Sequence, residues 1–315
     1  RQRQMCIRDR DLRQFRPQWV KPISMNYAKG MFNKNKAYFV PPPAAAGVVQ
    51  AQILGMVYRG EKFLTASNNI RNHLLAETFL TAYVERGRWM QDDFNSLLSE
   101  KELVSNRILD RLLEQFSDNQ HRQPGSFKLK PTPENSSATS FVVIDSLGMA
   151  ISCALTMNNN FGVGRIAPKT GIMLAATPQA IGRGSVSLGP MMIVNPYSSQ
   201  FVLATSASGG VTAATALSTV VARSYLINQS LEEALVAPRV HHSGAPDITY
   251  FEPNLNKDVV SYLQNLGHNV TATPRIGLVN IAYCSGGLPN EPETCSVRTD
   301  PRGHGLALNA TETVK

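Results

Sequence analysis

Two apolar runs joined by three residues constrain this chain more than any other stretch. Residues 140–145 and 149–156 are rich in Val, Ile, Phe and Ala, and Ser146-Leu147-Gly148 connects them. Such residues favour pleated backbone, and a three-residue link containing Gly signals a hairpin. Both runs are apolar almost throughout, which predicts strands covered on both faces. The first strand opens with small residues, Ala138-Thr139-Ser140, and the second delivers Asn158-Asn159-Asn160-Phe161-Gly162. On these residues alone an interior hairpin without chemistry is the simpler reading. Its surroundings give it a function.

A length of 315 residues suits one large domain or two small ones. No run of eighteen apolar residues predicts a membrane span. The net charge of +8 raises nucleic acid as a partner. Residues 1–137 hold 21 Lys/Arg against 13 Asp/Glu, whereas residues 138–315 hold 10 of each. The excess is scattered over the front half without a basic helix or an aromatic-interleaved patch, so it reads as solvated surface and excludes a nucleic-acid interface. Residues 1–10 have neither apolar periodicity nor the apolar core of a signal peptide, and read as a non-native tail.

Along the chain, Ala37–Val40 is a short strand, and Pro41-Pro42-Pro43 leads into a buried helix from Ala45 to Tyr58. A second helix runs from about Ala66 to Met90, with Leu74, Leu75, Phe79 and Val84 on its apolar face. Residues 92–116 carry one or two amphipathic helices. The polar, Pro-containing stretch Ser117–Ser137 is an exposed linker. Beyond the hairpin come a short strand near Gly171–Leu174, a Gly/Ser-rich loop at Thr177–Pro190, and strands at Met191–Val194 and Phe201–Ala204. Gly209-Gly210 opens a helix over Val211–Asn228. Ser230 with Glu233 forms a capping box, Lys257–Leu266 is a helix closed by Gly267, and Ile276–Ala282 pairs with Ser296–Thr299.

Six motifs in order carry a resemblance. They are Val40-Pro41-Pro42-Pro43-Ala44-Ala45-Ala46-Gly47-Val48, Phe141-Val142-Val143-Ile144-Asp145 and Thr156-Met157-Asn158-Asn159-Asn160-Phe161-Gly162. Ser206-Ala207-Ser208-Gly209-Gly210, Ala237-Pro238-Arg239-Val240-His241-His242 and Asp300-Pro301-Arg302 complete the set. Together they resemble the gamma-glutamyltransferase (glutathione hydrolase) family of N-terminal-nucleophile hydrolases. The resemblance implies a four-layer αββα sandwich of the α+β class. It implies a precursor cut into a large-subunit region, here residues 11–137, and a small-subunit region, residues 138–315, which remain partners in one domain. It further implies a small-molecule gamma-glutamyl or related acyl amide as substrate, a periplasmic or extracellular location, and an N-terminal portion missing from this fragment.

The chemistry implied needs no cofactor. A Thr freed at a new N-terminus uses its own α-amine as base, and that amine titrates at about 7.7–8.0. Thr139 takes the nucleophile role and Thr156 supports it. The Gly209 and Gly210 amides at a helix start form the oxyanion hole. Asn158, Ser187 and Ser206 stand at substrate-binding positions. His241-His242 has no Cys or carboxylate partner at a ligand spacing, so no metal is expected. Arg239 and Arg302 read as ion-pairing residues of the core edge.

Three departures qualify the resemblance. The family's motif is Thr-Thr-His-x-Ser-Val-x-Asp, and an ungapped count back from Asp145 reaches Ala138 rather than Thr139. The family's acid for the substrate ammonium falls at Gln179-Ala180, where no acid stands. Its carboxylate-binding Arg lies upstream. An acylase for non-glutamyl amides and an uncleaved, non-catalytic binding homologue therefore stand beside the enzyme reading. Cys284 and Cys295 flank a Gly/Pro-containing loop between two predicted strands, and export of the kind common in the family would join them as a disulfide, with two free thiols as the alternative.

Overall fold

The computed structural model describes residues 13–28, 34–59, 61–123, 137–177 and 184–309. Its strands are β1 (Ile23–Asn26), β2 (Lys36–Phe39), β3 (Ala138–Ile144), β4 (Ala150–Thr156), β5 (Met191–Asn195) and β6 (Gln200–Ser208). They continue with β7 (Val240–His241), β8 (Thr249–Phe251), β9 (Val270–Ala272), β10 (Leu278–Leu288) and β11 (Cys295–Thr299). The helices are α1 (Ala45–Arg59), α2 (Lys62–Thr65), α3 (Asn68–Trp89), α4 (Glu100–Leu103), α5 (Asn106–Leu113), α6 (Thr212–Val221), α7 (Leu231–Val236) and α8 (Lys257–Asn265). A π-helical turn, Ala222–Leu226, prolongs α6.

The centre is an antiparallel six-stranded sheet in the order β1-β2-β5-β6-β10-β11. Helices α1 and α6 lie on one face. α1 is buried along Ala45–Val57, and Ala213, Ala216, Leu217, Val220 and Val221 of α6 are likewise enclosed. Each enclosed Leu or Val contributes roughly 1.5–3 kcal/mol relative to exposure. The predicted helices over 45–58, 66–90, 211–228 and 257–266 all form. Residues 92–116 yield two short helices, each started by a serine cap at Ser99 or Ser105.

The hairpin β3–β4 lies across the other face of the sheet. Its strands pair from Ala138↔Thr156 to Ile144↔Ala150. Asp145 builds the turn, because its Oδ1 accepts the N–H of Leu147 and of Met149, both at 2.9 Å. Period-two alternation divides the strand residues between two faces. Val142, Ile144 and Ala150 pack on Phe201, Ala204, Ala282 and Leu288. Phe141, Val143, Ile151 and Leu155 point away and stay 44–58 % exposed. The expectation of cover on both faces is thus corrected: among the described residues no helix or sheet lies over the outer face. The layers described are helix, sheet and hairpin, three of the four in an αββα stack.

Two local predictions are met in atomic detail. Ser230 Oγ accepts the Glu233 N–H at 3.2 Å while Glu233 Oε2 accepts the Ser230 N–H at 3.1 Å. Cys284 and Cys295 face each other across β10 and β11 and form a disulfide. The strand foreseen at 171–174 is only an isolated bridge, Ile166↔Met173. Most of the predicted linker, and Gln179-Ala180, lie outside the described residues.

Candidate active site

The start of β3 is fixed by one side chain of β10. Asn280 Nδ2 donates to Ser140 O at 2.8 Å and to Ser140 Oγ at 3.0 Å, and Asn280 Oδ1 accepts from Thr299 Oγ1 at 2.7 Å. Ser140 therefore lies over the row where Asn280 pairs with Ser206. Val142 and Ile144 lie over the Ala282–Ala204 end. One pleat in the opposite direction directs Ala138 toward the row of Leu278 and Ser208, where Gly209-Gly210 begins.

Thr156 is the cross-strand partner of Ala138, so the two share the inner face. Thr156 Oγ1 donates to Ser137 O at 3.4 Å and accepts the Asn158 N–H at 3.0 Å. Thr139 pairs with Leu155 and is exposed on the outer face. The pairing thus sets Thr156 beside Ala138 at the end of the hairpin directed toward the Ser208 end of β6, which Gly209-Gly210 follows in the chain, and Thr156 is bonded to Asn158. In the unbroken chain it turns the Thr139 side chain away and presents Ala138. This inverts the expected position of the nucleophile, and the reason is the one-residue count back from Asp145.

The glycine pair owes its shape to the absence of side chains. Gly209 has φ +132°, and a Cβ there would stand 2.8 Å from Gly277 Cα and 2.8 Å from Thr212 Oγ1. Gly210 has φ +61°. Both conformations favour glycine. No acceptor for the N–H of either glycine stands among the described residues. These donors at the positive end of α6 suit a developing oxyanion.

Gly277 is held against Gly209 by a buried ion network. Arg239 is fully buried and donates to the carbonyls of Ile276 at 2.9 Å and Leu235 at 3.2 Å, and to Asp300 Oδ2 at 2.7 Å. Glu252 accepts the Ile276 N–H at 3.0 Å and pairs with Arg302 at 2.5 Å. Burial pulls the Arg239 guanidinium below its usual range while Asp300 pulls it back. Arg239 therefore lies in the core rather than at its edge, and it positions the loop behind the glycine pair. The sequence signal was present in the Asp300-Pro301-Arg302 motif. Asn280 was missed, although a lone amide in an apolar strand marks a polar partner across the sheet.

Asn158 closes the loop after β4. Its Nδ2 donates to Ala176 O at 2.8 Å and its Oδ1 accepts the Gly184 N–H at 3.0 Å. Gly162 allows this loop to fold back, since a Cβ there would meet Leu174 O at 2.0 Å. Ser206 is buried in β6 and its Oγ makes no hydrogen bond. Ser187 is buried on a segment docked at the start of α1, where Val186 O accepts the Ala46 N–H at 2.9 Å.

His241 accepts or donates a 2.9 Å hydrogen bond with Thr215 of α6, and burial, then His242 and Arg86, lower it to about 3, so it is neutral. His242 Nε2 donates to Asp247 Oδ1 at 3.1 Å. Asp247 also bonds His121 Nε2 at 3.0 Å. The histidine pair thus has a structural role, and the expectation of no carboxylate partner is corrected: folding brings Asp247 against His242. No helix of the described residues is long and apolar enough to cross a membrane.

A family model described as gamma-glutamyltranspeptidase matches residues 3–310. The chain is 25 % identical over 287 residues to the glutathione hydrolase proenzyme of Escherichia coli (strain K12), covering 82 % of this chain and 48 % of the relative. It is 25 % identical over 260 residues to the glutathione hydrolase of Aspergillus flavus, covering 73 % and 44 %. It therefore spans about half the length of the curated relatives it matches. In fold it is similar to a cephalosporin acylase from Bacillus halodurans, with a TM-score of 0.71 and 20 % identity over 93 % of this chain and 53 % of that one. On the strength of a match across nearly its whole length, the chain belongs to the gamma-glutamyltranspeptidase family.

Proposed function

We propose that this protein hydrolyses or transfers gamma-glutamyl or related acyl amides through a hydroxyl released at the start of β3. The observation that supports this reading is the pairing of Thr156 with the first residue of β3, together with its hydrogen bond to Asn158, at the hairpin end directed toward the Ser208 end of β6. In the processing step, Thr139 Oγ attacks the carbonyl carbon of Ala138. The C–N bond breaks, the Thr139 nitrogen takes the proton, and water hydrolyses the resulting ester. Removal of Ala138 leaves Thr139 with no preceding residue. Rotation about its Cα–C bond then exchanges amine and side chain and delivers the hydroxyl toward Thr156. The free amine accepts the hydroxyl proton as Thr139 attacks a substrate amide, and the Gly209 and Gly210 N–H groups hold the oxyanion. The acyl group passes to water or to an amine. The residues on either side of the cut, up to Ala138 and from Thr139 onward, stay together as partners, and an exported precursor fits the disulfide.

The substrate need not be glutamyl. Gln179-Ala180 replaces the acid that would pair with a substrate ammonium, so a charge-assisted hydrogen bond is lost. Amides of simpler acids are expected to show the higher kcat/KM, and a strong preference for a gamma-glutamyl anilide would contradict this.

A second reading is favoured by one observation, the pairing of Ala138 with Thr156. A chain that keeps Ala138 there has no hydroxyl from β3 on the inner face at this row and binds acyl amides without cleaving itself or them. Intact mass of the expressed protein, with turnover of an acyl anilide, separates the two. Two fragments and turnover support the enzyme, whereas one unbroken chain supports the binding homologue.

A further inference from the structure

Five of the six histidines of this chain are buried. Four of them, His73, His121, His242 and His268, join Glu77 and Asp247 in one patch away from the glycine corner. α3 supplies His73 and Glu77, the segment after α5 supplies His121, the β7–β8 connection supplies Asp247, and the turn between α8 and β9 supplies His268. Two sets of three donor atoms lie within 4.8 Å of one another: His73, Glu77 and His268, and His121, His242 and Asp247.

The second ring nitrogen of each histidine distinguishes the sets. Gly244 donates its N–H to His242 Nδ1 at 2.9 Å. A neutral His242 then carries its proton on Nε2, the atom facing Asp247, and has no lone pair to offer an ion there. The other set has the opposite arrangement. His73 Nε2 donates to Ser117 O at 2.8 Å, which leaves a lone pair on Nδ1. His268 Nδ1 has the Thr249 hydroxyl as partner at 2.9 Å, and a hydroxyl can accept. Its Nε2 lies 2.8 Å from His73 Nδ1 and 3.6 Å from Glu77 Oε1. Glu77 follows His73 by one helical turn, so both project from the same side of α3. Glu77 Oε1 also accepts a hydrogen bond from His121 Nδ1 at 2.6 Å, which makes His121 an outer partner of this oxygen, and its other oxygen accepts the Arg122 N–H at 3.2 Å.

We propose that His73, Glu77 and His268 form a buried site for a divalent transition-metal ion, with zinc the best match. Two imidazoles and one carboxylate are a donor set that suits zinc. Donor atoms around a four-coordinate zinc stand about 3.3 Å apart, given bonds of about 2.0–2.1 Å. The separations of His268 Nε2 from His73 Nδ1 and from Glu77 Oε1, 2.8 Å and 3.6 Å, bracket that value. Each ligand is oriented by a group outside the set, as metal-binding histidines and carboxylates require. An ion there would tie α3 to the α8–β9 turn. Through Ser117 it would also secure the segment that leads into the linker. Without an ion, the same atoms form a chain of hydrogen bonds from Thr249 through His268 and His73 to Ser117.

The test uses the full chain, stripped with a chelator and dialysed, then titrated with Co2+ as a visible probe and with Zn2+ as competitor. The expected result is one equivalent of Co2+ per chain with the absorption of a low-coordinate site, displacement by Zn2+, and a higher melting temperature with Zn2+. His268→Gln and Glu77→Gln should weaken uptake at least about 10-fold, and His242→Gln should not. Failure of the wild-type chain to bind either ion stoichiometrically overturns the proposal without recourse to any variant. Uptake unchanged in folded His268→Gln, or lost equally in His242→Gln, also overturns it.

Discussion

The two faces of the β3–β4 hairpin have similar compositions and different fates. The inner face rests on a floor that is itself braced: Asn280 grips Ser140, and the Arg239–Asp300 and Arg302–Glu252 pairs hold the Gly277 loop behind Gly209. The outer face, with Thr139, Phe141 and Val143, rests on nothing described. A shift of one residue moves every side chain from one face to the other. Whether this chain is an enzyme therefore turns on which of Ala138 and Thr139 ends on the braced side.

The largest expected effect is on turnover. Thr139→Ala should abolish both fragment production and amide hydrolysis, reducing rates to background. Ser140→Ala should spare processing, because Ser140 is occupied with Asn280. Full activity in Thr139→Ala would break the link between Thr139 and catalysis.

Next comes the floor. Asp300→Ala leaves the buried Arg239 guanidinium without its carboxylate. It should cost about 3–5 kcal/mol in a urea melt. A loss below about 1 kcal/mol would show that the network does not brace the sheet.

Gly209→Ala should be destabilising by about 1–3 kcal/mol, from a positive φ and a clash with Gly277. Its activity should fall further than its stability explains if the displaced N–H is the oxyanion donor proposed above. Melting and kcat on the same preparation separate the two losses.

The smallest effects compare the faces directly. Asn280→Ala removes the donor to Ser140 and should cost about 1–3 kcal/mol. Phe141→Ser on the outer face should change stability by no more than about 0.5 kcal/mol. A larger loss from Phe141→Ser would reveal cover on that face in solution.

Much of the frame was legible because its signals are local. Apolar periodicity marked α1, α3 and α6, the Ser230–Glu233 spacing marked a cap, and the loop before Cys295 marked a strand pair. The short strands β1, β7, β8 and β9 were not legible, because two to four residues become strands only through distant partners. The face assignment of the hairpin failed for a related reason. Two apolar faces read alike in sequence, and only the sheet beneath selects one. The histidine patch was also invisible, since His73 and His268 meet across 195 residues. The order of the motifs made the site's corner legible, but its register had to await the pairing of Ala138 with Thr156.

The central claim is that this corner acts through a hydroxyl freed at the start of β3. Its most direct test is the N-terminal sequence of the smaller fragment, obtained from protein whose intact mass has been measured. The account predicts two fragments, the smaller beginning at Thr139. A single unbroken chain that binds an acyl amide without turnover would contradict it.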